Sequence, residues 1–550
     1  MTTRAPLTRL ATHDVTNQPP PLVDYNAYDS DTPLQAAVRK AGDDVHGARL
    51  SAFGGQIGSA ETIEWGRLAN ENPPRLSSFD RYGHRLDEVE FHPAYHQLMQ
   101  LGIAAGVSSA AWTVGKAGHT LHAALLYLMT QADAGTVCPM SMTYAVVPAL
   151  RSEPDLAAEW QPRVTAGRYD PRFIPAAEKT GCTMGMAMTE KQGGSDVRAN
   201  TTRAIPLGDG VFELTGHKWF CSAPMSDAFL TLAYCEDGLS CFLVPRWRSD
   251  GTRNAIHIMR LKDKLGDRSN ASSEIEYHGA WAQRVGPQGR GVRTIIEMVQ
   301  GTRLDCILGS AGGMRASLVQ ALWHTAHRTA FQRRLVDQPA MRAVLADLCL
   351  EVEATIALGF RVARAFDASE NDTGELAFAR LATSIAKYWV CKRQPGVVYE
   401  ALESMGGAGF VEDGPMPRLY RQSPLNAIWE GSGNVIALNI LRAMAREPDS
   451  IEAIRSELEN VRGTNARYDA HLDTWQRWFI SDPPSESTAR VFAEQTALAL
   501  QAAALQSGPD EVFDSFCAAR LDPANRSLAY GAVRSGIAED VLITRGMPAV

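Results

Sequence analysis

Apolar positions recur at helical spacing from about Pro33 to Arg168, change to a two-residue alternation near Gly181, and return to helical spacing beyond Gly289-Arg290-Gly291. In the first stretch, residues 95–129 are rich in Ala and Leu with few breakers, which predicts helix, and Glu71-Asn72-Pro73-Pro74 marks a loop ahead of it. In the second, residues 211–216 and 273–277 alternate, with Ile275 and Tyr277 on one face and Glu274 and Glu276 on the other. Residues 240–244 form a short apolar run before Pro245. Such runs, separated by Gly, Asp and Asn turns, predict an antiparallel β domain. In the third, residues 341–366 carry Leu345, Leu348, Val352 and Ile356 on one stripe, and residues 435–444 and 491–505 are further helical candidates. The pattern predicts a mainly α chain with a central antiparallel β domain, in four parts. These are an N-terminal arm and helical domain (1–180), the β domain (181–284), a helical bundle (285–445) and a C-terminal helical domain (446–550).

Length agrees with that division: 550 residues at roughly 150 per domain suggest three or four domains. A formal net charge of −8 argues against a broad nucleic-acid surface and leaves room only for a local basic patch. The nine Cys are dispersed without a C-x-x-C pair or metal-ligand spacing, which predicts reduced thiols in a cytoplasmic protein and no metal site. The N-terminus shows no apolar signal segment. The most apolar stretch, residues 101–129, is interrupted by Lys116, His119 and His122 and predicts buried helix rather than a membrane span. Residues 1–34 are rich in Pro, Asn, Asp and Thr, and Gln18-Pro19-Pro20-Pro21 must be extended. This arm wraps on the surface, meets another subunit, or stays disordered. Residues 446–550 hold ten Arg and no Lys against sixteen Asp and Glu, so the segment is net acidic.

Four motifs carry candidate chemistry. The first is Ala187-Met188-Thr189-Glu190-Lys191-Gln192-Gly193-Gly194-Ser195-Asp196-Val197-Arg198-Ala199. Its glycines admit a flat or anionic ligand to the backbone, and Thr189 and Ser195 offer hydroxyls; a plain hairpin turn is the alternative. The second, Gly216-His217-Lys218-Trp219-Phe220-Cys221-Ser222, sets aromatic rings beside a hydroxyl. That suits a flavin and equally suits a core strand. Cys221 reads as a buried, inert thiol. The third, Glu403-Ser404-Met405-Gly406-Gly407-Ala408-Gly409-Phe410, is only loosely a GxGxxG loop and serves equally as a helix-ending turn. The fourth is Trp429-Glu430-Gly431-Ser432-Gly433-Asn434, at the start of an apolar helix. The helix start can hold a phosphate, and a Glu430 buried beside Trp429 gains basicity; a surface Glu in a helix-start turn is the alternative.

Taken together, in this order and over most of the chain, the four motifs resemble the acyl-CoA dehydrogenase family. Lys264-Leu265-Gly266-Asp267-Arg268-Ser269 and Gly286-Pro287-Gln288-Gly289-Arg290-Gly291 resemble family features too. The narrower similarity is to the AidB branch, through Thr12-His13-Asp14-Val15-Thr16-Asn17-Gln18-Pro19-Pro20-Pro21, Asp87-Glu88-Val89-Glu90-Phe91-His92-Pro93 and the extra C-terminal segment. The resemblance implies an acyl-CoA dehydrogenase-like fold: helical domain, β domain, four-helix bundle and an added C-terminal helical domain. It implies FAD as cofactor, an acyl-CoA or related thioester as substrate, a homotetramer with no membrane attachment, and an electron-transfer flavoprotein as possible acceptor. Glu430 falls on the catalytic base. Met188, Thr189, Gly194 and Ser195 fall on flavin or phosphate contacts, Phe220 on the aromatic wall and Ser222 on the hydroxyl at the flavin edge. Arg328 and Phe331 fall on the R-x-x-F pair that reaches the FAD of a partner subunit; Gly406, Gly407, Trp429, Ser432 and Asn434 fall on further cofactor contacts. Glu403, where many members carry Gln, and Gln422, where an acidic residue is usual, depart from the pattern.

By that resemblance Glu430 takes the α proton of the acyl thioester while the β hydrogen leaves as hydride to the flavin. The thioester oxygen is stabilised as enolate charge develops. The rival reading, also from the AidB branch, is a protective flavoprotein of the DNA-alkylation response that binds duplex DNA and has weak or vestigial dehydrogenase activity. Its candidate contacts are Arg446, Arg455, Arg462, Arg467 and Arg477. The net acidic segment around them favours solvated helix faces with ion pairs instead.

Overall fold

The computed structural model describes residues 7–42 and 45–549. Helices dominate the first 170 residues as expected, with two departures. Residues 95–129 form three helices, Pro93–Ala105, the single turn Ala110–Thr113, and Gly118–Ala132. Gly106 ends the first at φ +99°, a left-handed stop that a side chain would strain, and Ala117 opens the third at φ +51°. The second departure is a hairpin of β1 (Arg75–Phe79) and β2 (Arg85–Glu90), antiparallel with Leu76 opposite Val89. Few apolar residues mark it, so its alternation is faint in the sequence. His122 lies in the core with Nδ1 2.6 Å from the Val107 carbonyl oxygen and Nε2 2.7 Å from Asp305. No helix among the described residues is long and apolar enough to cross a membrane.

Seven strands make the central sheet: β3 (Met184–Ala187), β4 (Arg203–Gly208), β5 (Val211–Ser222), β6 (Ala228–Cys235), β7 (Gly238–Pro245), β8 (Ile256–Leu261) and β9 (Ser272–Val285). The order is β3-β6-β4-β5-β9-β7, with β8 added to β9; β7 also pairs with β6, which curls the sheet back on itself. Pairs β4–β5, β5–β9, β6–β7, β7–β9 and β8–β9 are antiparallel as expected. The short β3 instead runs parallel to β6, making the sheet mixed. All four residues of β3 are buried, and a continuous apolar run carries no information on strand direction. One face packs through Met184, Leu230 and Leu243 against Val146, Leu156 and Trp160 of the N-terminal helices. The other gathers Phe212, Phe229, Phe242, Ile258, Ile275 and Tyr277.

Helices Gly291–His327, Pro339–Ala368, Thr373–Ser404 and Gly433–Arg446 form the bundle. Cys391 Sγ donates to the Cys306 carbonyl at 3.4 Å, and Gln394 lies against Gly313, so the first and third run in the same direction. The C-terminal segment packs helices Pro448–Glu459, Ala466–Ile480 and Ala489–Gln506 onto the bundle. Trp389 Nε1 donates to Gln501 Oε1 at 2.9 Å, and Arg520 reaches the buried Asp347 and Glu351 at 2.5 and 3.1 Å. The N-terminal arm wraps its own chain: Trp323 Nε1 donates to the Pro20 carbonyl at 2.7 Å.

Candidate active site

Glu430 sits in the turn before helix Gly433–Arg446 with φ +59°, followed by Gly431 at φ +110°. A left-handed Glu costs roughly 1–3 kcal/mol and needs surrounding structure to hold it. Two buried cations supply that structure. Lys387 Nζ donates to the carbonyls of Trp429 (2.8 Å) and Gly431 (2.5 Å), and Arg303 Nε donates to that of Glu430 (3.2 Å). Trp429 is fixed by its Nε1 on Asn426 Oδ1 at 2.8 Å, and Asn426 Nδ2 reaches Ser310 Oγ at 3.2 Å. The Glu430 Oε2 is closed off from solvent and has no hydrogen-bond partner. Burial raises the pKa of this carboxyl, against the opposing charges of Arg303 and Lys387 and the Thr302 hydroxyl. A carboxylate with one oxygen unengaged and a raised pKa is equipped to accept a proton from carbon.

Three parts of the chain meet here. Cys138, on helix Ala134–Leu150, lies within electrostatic reach of Lys264, Asp267 and Glu430; burial pushes its thiol up to about 12. Lys264, Asp267 and Asn270 belong to the loop between β8 and β9. Asp267, at φ +49°, is raised by burial to about 7, with Lys264 opposing. Asp267 Oδ1, Asn270 Oδ1 and Gln422 Nε2 are buried without hydrogen-bond partners, as Glu430 Oε2 is.

The same loop connects to the second motif. Ser222 Oγ lies 3.0 Å from Ser272 Oγ, and Ala223 N donates to the Ala271 carbonyl at 2.8 Å. The second motif connects to the first through Trp219 N, which donates to the Thr189 carbonyl at 2.8 Å. Phe220 is 48% exposed, a large ring facing outward from β5, with Lys262 Nζ 4.7 Å from its centroid. Cys221 is buried and its thiol pushed up to about 12, which makes it inert. Asn200 Nδ2 donates to the Met188 carbonyl at 3.0 Å. A Cβ on Gly194 would fall 2.7 Å from Thr189 Oγ1, so that glycine is required for packing, and Ser195 is exposed beside it.

Glu190, in the middle of the first motif and not among the residues the sequence marks as contacts, organises this loop. Its carboxylate pairs with the buried Lys218 at 2.9 Å and accepts from Thr201 N (2.6 Å), Thr202 Oγ1 (2.6 Å) and Gln192 Nε2 (2.7 Å). Burial works to raise its pKa, but Lys218 and these donors outweigh it and bring it down to about 2. Arg303 and Lys387 were missed as well.

Four proposed cofactor residues stand away from Glu430 in the same chain. Arg328 follows Arg303 by about 25 residues, nearly all in one helix, or roughly 37 Å at 1.5 Å per residue. Gly406 follows Lys387 by about 19 residues, or roughly 28 Å. Those parallel helices carry Arg328 and Phe331 toward the same end as Gly406 and Gly407. Gly406 has φ +61° and an exposed backbone at the end of its helix. Ser432 and Asn434 remain beside Glu430 at the helix start, and Asn434 Oδ1 accepts from Arg490 Nε at 2.7 Å, a contact from the C-terminal segment.

Of the five arginines considered for DNA, Arg455 pairs with Glu452 (3.3 Å), Arg462 with Glu459 (2.7 Å) and Asp473 (2.9 Å), and Arg467 with Asp522 (3.1 Å). Arg446 and Arg477 are exposed without an ion pair among the described residues.

Comparison with known proteins places this geometry among relatives. Residues 17–171 match the adaptive response protein AidB N-terminal domain, residues 185–280 the acyl-CoA dehydrogenase middle domain, and residues 289–445 the acyl-CoA dehydrogenase C-terminal domain. The chain is 42% identical to AidB of Escherichia coli over 515 residues, covering 93% of this chain and 95% of that one. It is 32% identical to acyl-CoA dehydrogenase family member 11 of Caenorhabditis elegans over 469 residues, covering 82% and 75%. Among solved structures, Caenorhabditis elegans ACDH-11 in complex with C11-CoA superposes with a TM-score of 0.83 at 26% identity, covering 99% of this chain and 94% of that one. An acyl-CoA dehydrogenase complexed with FAD from Bacillus anthracis shares the fold, with a TM-score of 0.65 at 15% identity, covering 90% and 88%.

Proposed function

The chain belongs to the acyl-CoA dehydrogenase family, in its AidB branch, and we propose that it dehydrogenates an acyl-CoA between Cα and Cβ with Glu430 as base and FAD as cofactor. The observation that carries the reading is the Glu430 Oε2, buried and unpartnered on a turn pinned by two cations.

The residues present fit a flavin. The buried, unpartnered Asp267 Oδ1, Asn270 Oδ1 and Gln422 Nε2 offer hydrogen-bonding groups of both kinds, and the outward ring of Phe220 beside Ser222 offers a flat wall with a hydroxyl. Phe220, Ser222, Thr189, Ser195, Ser432 and Asn434 would hold the cofactor. FAD, when bound, supplies the acceptor for the β hydrogen and its electron pair.

Glu430 takes the α proton onto its unengaged oxygen. The carboxylate must be ionised to do so. Arg303 and Lys387 favour the ionised form, while burial keeps the group more basic than an exposed Glu. The Glu430 backbone N–H, which makes no hydrogen bond among the described residues, is available to donate to the thioester oxygen as charge builds there. The relative solved with C11-CoA supports an acyl-CoA as the substrate class. The distance of Arg328 and Gly406 from Glu430 supports completion of each site by another copy of the chain.

The test is anaerobic addition of acyl-CoAs of varied length to purified protein. Wild type should bleach with at least one of them. Glu430→Gln should remain yellow and fail to bleach with any; bleaching equal to wild type would remove Glu430 from the role.

A further inference from the structure

The hairpin that carries Phe331 cannot hold its own shape. Strands β10 (Thr329–Ala330) and β11 (Arg333–Arg334) contribute two residues each, with Ala330 opposite Arg333. The turn between them is Phe331 at φ +51° and Gln332 at φ +62°. A two-residue turn with both φ positive normally takes Asn and Gly, because other side chains are strained there. Even a full-length isolated hairpin is marginal in water. Phe331 is nonetheless displayed at 92% exposure. Strain held at one exposed residue requires support from elsewhere.

On one side Gln338 Nε2 donates to the Ala330 carbonyl at 3.0 Å; on the other the support is the N-terminal arm. Asn17 Nδ2 donates to the Thr329 carbonyl at 2.8 Å, and Thr329 N donates to Asn17 Oδ1 at 2.7 Å. The side-chain amide thus takes the place of a third strand, as only a carboxamide can. The Asn17 carbonyl accepts from Arg328 Nη1 at 2.5 Å, leaving the other guanidinium N–H groups for another ligand. Asn17 itself is at φ +56°, a conformation Asn tolerates better than most residues. The Trp323–Pro20 bond holds the next turn of the arm on the same helix end.

We infer that Asn17 is a positioning residue, a latch through which the N-terminal arm sets Arg328 and Phe331 to reach the cofactor site of a second copy of this chain. The inference rests on the reading that Arg328 and Phe331 serve a partner's FAD.

Full-length apoprotein titrated with FAD tests it, read by quenching of flavin fluorescence. Asn17→Gly keeps the left-handed backbone and removes only the side-chain pairing. It should weaken FAD binding about tenfold, as should Phe331→Ala, and the double variant should be no worse than either because both act through one hairpin. Trypsin should cut after Arg333 or Arg334 faster in Asn17→Gly than in wild type. If Phe331→Ala and Arg328→Ala leave FAD affinity unchanged, the partner-site reading fails and the latch with it. If they weaken it while Asn17→Gly does not, the latch alone is overturned. Additive losses in the double variant, or a lowered melting temperature with a trypsin-resistant hairpin, also overturn it. Should Asn17→Gly not fold, Trp323→Phe, which frees the arm at Pro20, must show the same weaker binding and faster cleavage.

Discussion

Lys387 straddles Glu430: one ammonium donates to the carbonyl oxygens on either side of the carboxylate's own residue, at 2.8 Å and 2.5 Å. It therefore fixes the turn and sets the charge near the proposed base. Lys387→Met should lower kcat/KM by about 10²-fold, since a displaced catalytic group loses that much for a shift near 1 Å. It should also move the acid limb of the pH–rate profile to higher pH, because a cation favouring the carboxylate is gone. In wild type that limb lies above the ordinary 4.5 of a Glu, since burial raises the group. A variant with reduced rate and an unmoved acid limb would reduce Lys387 to a structural brace.

Which of these features the sequence discloses follows a physical rule. The helix start in the Trp429–Asn434 run was legible because its glycines and the apolar residues that follow lie in one short stretch of chain. The strands of residues 211–216 and 273–277 were legible because alternation survives wherever one face is buried. Arg303 and Lys387 were not, since each is a single cation in a long buried helix and its partner lies in another segment. The one available signal was a charge on an apolar face, which requires a partner. Glu190 and Lys218 sat in two recognised motifs, but pairing them takes the fold of β5 against the loop after β3. The β1–β2 hairpin and the direction of β3 were lost for lack of pattern.

The Glu190–Lys218 pair makes the first motif a stability element as well as a ligand loop. Lys218→Met leaves a buried carboxylate uncompensated and should cost about 3–5 kcal/mol in urea unfolding. Glu190→Gln combined with Lys218→Met should recover most of that loss. The folded pKa of Glu190, about 2, lies below its ordinary 4.5. The contribution of Glu190 is therefore present above pH 4.5 and lost as pH falls toward 2. Lys218→Met should lose its excess acid sensitivity in that window; an unchanged acid transition would contradict the assignment.

Asp267 has the opposite sign. Burial raises it from 3.8 to about 7, so between those values the folded chain binds more protons than the unfolded one. Stability from this group falls as pH rises from about 4 to about 7 and is level above. Asp267→Asn keeps the shape and removes the titration. Its melting temperature should gain on that of wild type across the same range and then hold a constant lead. Parallel melting curves from pH 4 to 8 would show that Asp267 is ionised as easily folded as unfolded.

Burial also decides which C-terminal arginine matters most. Arg520 holds Asp347 and Glu351, each 1% exposed, and Arg393 holds Glu351 from the other side at 3.0 Å. Burial would raise Glu351, but the two guanidinium groups outweigh it and bring it to about 2. Arg520→Leu leaves the buried Asp347 without its guanidinium and Glu351 with Arg393 alone, at the seam between bundle and C-terminal segment, and should cost about 3–5 kcal/mol. Arg462, in a partly exposed pair with Glu459, should cost under about 1 kcal/mol on the same change. Limited proteolysis should then release fragments from residues 446–550 in Arg520→Leu and not in Arg462→Leu. Equal resistance in the two variants would mean that the apolar contacts around Trp475 and Phe492 hold the segment without the buried charges.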